Sequence, residues 1–185
     1  MPLYGVIILF TGGTWLSTIN NQAKYYTFLV TITATLVLPL ASLYVLKLKK
    51  WITDFSISDQ KERRFPLMLQ SLFALLAAFI LQKVSAPLIL ALYFNGISIF
   101  LLICAALSTK WNISTHLAGV GGLIGLLLAV SLKWMLDMRL ILAILIILAS
   151  VISASRIAGK SHNPAQVYAG LALGFTTIFL LVYLV

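Results

Sequence analysis

Six long apolar runs, separated by short polar breaks, constrain this chain more than anything else in it. They are Tyr25–Leu46, Leu67–Gln82, Pro87–Leu107, Leu117–Leu136, Leu140–Ala154 and Val167–Val185. In hydrocarbon the backbone has no water to bond, so a crossing segment must pair its own N–H and C=O groups, and a helix does so within one run. About 20 apolar residues cross a core about 30 Å thick. Of 185 residues, 62% are hydrophobic and 9% charged, with a mean hydropathy of +1.08. That is too little charge to cover a water-soluble globule. The expected fold is all-α, an integral membrane helical bundle of six firm transmembrane helices forming a single domain over residues 1–185. A short N-terminal seventh segment, Leu3–Ile19, is either a marginal span or a re-entrant or interfacial helix.

The net charge is +9. The cations sit between the apolar runs, where they meet lipid headgroups or anionic substrates, so nucleic acid is not an expected partner. Cys104 is the only cysteine and lies inside a run, which excludes a disulfide framework and a thiol or zinc site. No Lys or Arg precedes Lys24, so the basic start of a signal peptide is missing and cleavage is not expected. The expected location is a bacterial inner membrane.

Each crossing switches sides, so loops two helices apart share a face. Thr53–Phe65, Ser108–His116 and Ser155–Gln166 therefore lie together, opposite Asn20–Lys24, the turn at Lys83 and Lys133–Arg139. Each of the first three leads into a helix, expected to begin at Pro66, near Ser114-Thr115 and at Pro164. Helix starts present unpaired N–H groups and a positive dipole end to anions. Nine Lys and Arg lie on that face and four on the other, which by the positive-inside rule makes it cytoplasmic. Five of the nine are candidate ligands, and without them the count is four against four, so the side stays open. In Leu117–Leu136, Gly119, Gly121, Gly122 and Gly125 are spaced for close helix packing.

Ser155–Gln166 is the most polar break in the last third of the chain, with Arg156, Lys160 and His162 inside seven residues. Asn163-Pro164 reads as a helix start, Asn as N-cap and Pro at the first helical position. His162 then stands just outside a helix N-terminus, a design suited to phosphate.

The spacing of this stretch is specific. Ser155-Arg156, five residues, His162, three residues and Gln166 resembles the third motif of the type 2 phosphatidic acid phosphatase superfamily, Ser-Arg-x5-His-x3-Asp. Val167 and Gly170 fit the usual continuation. Ile113-Ser114-Thr115-His116 is similar to the second motif, Pro-Ser-Gly-His, and Arg64-Phe65-Pro66 to the Arg-Pro end of the first, Lys-x6-Arg-Pro. The resemblance covers about Lys61 to Gly170. It implies a phosphohistidine chemistry without metal or cofactor, in which His162 attacks phosphorus and His116 protonates the leaving oxygen. Arg156, Arg64, Lys61 and Ser114 then hold the phosphate, with Arg63 and Lys160 beside them. Fixed guanidinium forks and helix N-termini supply the charge stabilisation that phosphoryl transfer needs.

The chain departs from the pattern at several positions. Ile57 occupies the place of the first motif's Lys, leaving Lys61 nearest, and Phe65 is inserted. Ile113 and Thr115 replace Pro and Gly. Gln166 replaces the Asp that orients the nucleophile. Its amide oxygen can accept the Nδ1–H of His162 but supplies no negative charge to a cationic imidazole; Asp59 or Glu62 is the alternative carboxylate. The resemblance thus implies a membrane phosphatase acting on lipid phosphates or isoprenoid (di)phosphates. The alternative is a catalytically weak lipid-phosphate-binding or scaffold protein of the same fold. A transporter is disfavoured because no run carries a charge at its centre.

Overall fold

The computed structural model describes residues 1–52, 60–84, 86–108 and 111–185, and of Gln60 and Lys61 it describes the backbone only. The readings placed on Thr53–Asp59, on Lys110 and on the Lys61 side chain lie outside the described residues. Among these residues there are seven helices and one 3-10 turn, with no strand. They are α1 (Pro2–Thr11), α2 (Asn21–Leu48), α3 (Gln60–Lys83), α4 (Leu88–Leu107), α5 (Thr115–Trp134), α6 (Arg139–Ala158) and α7 (Pro164–Leu184). The fold is all-α, and six helices, α2 to α7, are long and apolar enough to cross a membrane. The chain is accordingly read as an integral membrane protein.

Three helix limits differ from the sequence reading. α2 begins at Asn21, inside the stretch read as a turn, with Asn20 as its N-cap. α3 begins at Gln60 and runs through Pro66. Gln, Lys, Glu and Arg are good helix formers, and a proline near a helix start disrupts only the first turns. Arg63 and Arg64 are therefore helical and not in a loop. α6 continues past Ala154 to Ala158, which puts Ser155 and Arg156 on its last turn.

The described residues divide into two compact units, Asn20–Asn112 and Met1–Ile19 with Ile113–Val185. In the first, α3 presents Ser71, Ala74, Ala77 and Ala78 as a buried strip of small residues that α4 packs against. Ser71 Oγ donates to the Ser98 carbonyl at 3.1 Å, a pairing worth more than an orphaned hydroxyl in hydrocarbon. α2 carries one π turn, Thr33–Val37. Pro39 follows it, and a proline ring does not tolerate a regular helical carbonyl four residues earlier.

In the second unit α5 is the central helix, with α1, α6 and α7 packed on it. α1 has ten residues, about 15 Å or half a bilayer core. Thr14 ends the segment, its buried hydroxyl donating to the Leu9 carbonyl and accepting from Leu16 N–H at 3.2 Å. The side chain of Met1 lies against Gly119, and Trp15 pairs with Trp134 at 6.2 Å. Residues 1–15 thus run alongside α5 from its first turns to its last. In the turn between α5 and α6, Asp137 accepts from Arg139 at 2.8 and 2.9 Å. These bonds hold its carboxyl down at about 2.

Candidate functional site

The Ser155–Gln166 stretch is a helix end, a turn and a helix start. α6 finishes with Lys160 N–H bonded to the Ile157 carbonyl at 3.0 Å and Ser161 N–H to the Arg156 carbonyl at 3.2 Å. This is a Schellman closure, with Lys160 at φ 51° in the left-handed position that glycine usually fills. The Arg156 carbonyl also accepts from His162 N–H at 3.3 Å and from the Ser161 hydroxyl at 3.0 Å. The separation of Arg156 from His162 is thus the distance over which one carbonyl gathers the turn. His162 is half-buried, as is Arg156.

α7 starts where the sequence predicts. Asn163 Oδ1 accepts from Gln166 N–H at 2.8 Å, and Gln166 Oε1 accepts from Asn163 N–H at 3.1 Å. Together with Pro164 at the first helical position this is a full capping box. Gln166 therefore has its amide oxygen on the Asn163 backbone, a use that the reading of it as the orienting partner of His162 did not foresee. The signal was present in the sequence: Asn163 and Gln166 stand three apart across a helix start. The box also spends donors that an anion would use, since Pro164 has no N–H and that of Gln166 is taken.

The Ile113–His116 stretch meets the Ser155–Gln166 stretch through main chain. Ser114 N–H donates to the Gln166 carbonyl at 3.2 Å, and Ser114 is the N-cap residue of α5, with no side-chain cap bond. The residue is fully buried, and its hydroxyl has no hydrogen-bond partner among the described residues. Leaving a buried hydroxyl unmade costs about 1–3 kcal/mol. His116 lies two residues further on, exposed, in the first turn of α5. Ser114, His116, Arg156, Lys160, His162 and Gln166 therefore belong to one end of one unit. No family model, curated protein or solved structure matches this chain.

The register of that end is set by glycines on both helices. Gly121 and Gly125 on α5 and Gly170 and Gly174 on α7 form two G-x-x-x-G pairs, each glycine facing backbone of the other helix. A Cβ on Gly170 would stand 2.5 Å from the Ser114 carbonyl oxygen, and one on Gly125 2.5 Å from that of Phe175. The glycine reading of α5 as a packing surface holds. Gly170, read as part of the motif's continuation, serves the same packing and brings the start of α7 onto Ser114.

Lys61, Arg63 and Arg64 belong to α3, in the other unit. There Arg63 Nη1 donates to Asn112 Oδ1, tying α3 to the segment just before the second motif. Arg64 is exposed. Among the described residues no group of three or more His, Cys, Asp or Glu stands together as a metal-ligand set.

Proposed function

We propose that this protein is a membrane-embedded phosphatase that hydrolyses lipid phosphates or isoprenoid (di)phosphates through a phosphohistidine. The observation that carries the reading is the bond from Ser114 N–H to the Gln166 carbonyl. It brings the two histidine-bearing motif segments, far apart in sequence, to one helix end beside Arg156. In the proposed reaction an imidazole nitrogen of His162 attacks phosphorus, the bond from phosphorus to the lipid oxygen breaks, and His116 gives that oxygen its proton. Water then attacks the phosphohistidine, passing a proton to the now neutral His116, and phosphate leaves. Arg156 and Lys160 offset the phosphate charge throughout. The resemblance assigns the same task to Arg64 and Lys61.

One observation favours the second reading, a phosphate binder without turnover: the Gln166 amide oxygen is engaged on the Asn163 backbone. Phosphate release from a short-chain phosphatidic acid by purified protein in detergent separates the two. Turnover lost in His162→Ala and in Arg156→Ala supports the enzyme. Binding of the lipid without release, sensitive to Arg156→Ala, supports the binder. Release that His162→Ala leaves intact overturns the phosphohistidine route.

A further inference from the structure

A groove of about 380 Å³ opens beside the third motif, between α5, α6 and α7, lined among others by Ile124, Ile146, Ala154, Ile157, Tyr168 and Leu171. Its top belongs to the candidate site by chain connection, since Ile157 follows Arg156 and Tyr168 comes two residues after Gln166. Its floor reaches Ile146, eleven residues down α6 from Ile157. At 1.5 Å per residue that is about 16 Å, close to half of a hydrocarbon core about 30 Å thick. The two serines in the wall, Ser150 and Ser153, give their hydroxyls to the carbonyls of Ile146 and Ala149 at 2.9 and 2.7 Å. The wall is therefore mostly hydrocarbon, with both serine donors already used.

Resting on the phosphate reading above, we infer that this groove holds one hydrocarbon chain of a lipid whose phosphate lies at Arg156 and Lys160. The groove is one leaflet deep and mostly apolar, and Arg156 and Lys160 flank its upper rim residue Ile157 in the chain, which is the order of chemistry in an anionic lipid. A chain seated there lies along α6 with its phosphate end at the turn that carries His162. In a membrane the chain leaves lipid and not water, so contact along the groove adds van der Waals packing rather than hydrophobic transfer. The floor at Ile146 sets the length of chain that can be seated.

The test is photolabelling of the purified full-length protein in phosphatidylcholine nanodiscs. The probe is phosphatidic acid with a diazirine midway along one acyl chain, and a diacylglycerol with the same chain serves as comparison. Label is expected on the α6 and α7 residues that line the groove, in excess over exposed Val151 and Leu140. Ala154→Trp, which fills the groove from an exposed wall position, should cut that labelling several-fold, and Val151→Trp should leave it unchanged. Arg156→Ala should cut labelling by the phosphatidic acid and not by the diacylglycerol. Label spread evenly over lipid-facing residues, or indifferent to Ala154→Trp, overturns the groove. Equal groove labelling by both probes overturns the phosphate-headed occupant. Because labelling needs no turnover, groove-specific labelling in a protein that releases no phosphate sinks the catalytic reading and leaves this one standing.

Discussion

Ser114 N–H and the carbonyl oxygen of Gln166 meet at 3.2 Å, so the turns carrying His116 and His162 are joined through backbone. That bond uses no side chain, and a substitution at either residue leaves its two atoms in place.

Ser114→Ala removes a fully buried hydroxyl that has no partner among the described residues. The protein without ligand should gain about 1 kcal/mol, because a desolvated hydroxyl is deleted and no hydrogen bond is lost. Affinity for a phosphate-headed lipid should fall. Thermal denaturation in detergent, with and without short-chain phosphatidic acid, measures both. A loss of stability in the ligand-free protein would show that the hydroxyl has a structural partner.

Gly174→Ala should damage the fold itself. A Cβ there overlaps the carbonyl of Ala118 on α5, and backbone cannot give way as a side-chain tip can. Overpacking of this kind costs about 1–3 kcal/mol. The unfolding midpoint should drop. Gly13→Ala meets no neighbouring atom but carries φ 70°, so it strains locally without parting the helices. Near-UV circular dichroism of the tryptophans should separate the two effects.

Lys160→Gly should stabilise the turn by about 1 kcal/mol, since a Cβ in the left-handed region is a steric cost that glycine lacks. The same change removes a cation from the candidate site. Higher thermal stability with weaker phosphate binding is the expected pair of results. Unchanged binding would take Lys160 out of the list of phosphate ligands.

Gln166 distinguishes the enzyme from the binder. Gln166→Ala removes half of the capping box and should cost about 1 kcal/mol in stability. Gln166→Asp places an acid in the first turn of α7, where the helix dipole favours it. In an enzyme the new carboxylate stabilises the cationic form of His162, and phosphate release should rise. In a binder it faces a bound phosphate, and affinity should fall without turnover. Steady-state release and lipid affinity on the same preparations decide between them.

Six spanning helices were legible in the sequence because each apolar run is long enough to cross by itself and needs no partner to be helical. The Asn163-Pro164 start of α7 was legible for a similar reason: an N-cap, a first-position proline and Gln166 three residues on are local chemistry. Limits were less legible at Gln60 and at Ala158. At Gln60 the residues are polar but good helix formers, on which hydropathy does not report; at Ala158 the polar pair Ser155-Arg156 interrupts the apolar pattern while the helix runs on. The tertiary structure decided what no single run contains. It placed Gly170 and Gly174 against Ser114 and Ala118, turning two separate glycine spacings into one parallel helix contact. It also put the start of α5 on the start of α7, and left the Ser114 hydroxyl buried without a partner among the described residues. Helix formation in lipid is a property of the segment, since every backbone bond closes within it. Which helix ends meet is a property of side-view packing between segments far apart in the chain, where small residues and close carbonyls choose the neighbour.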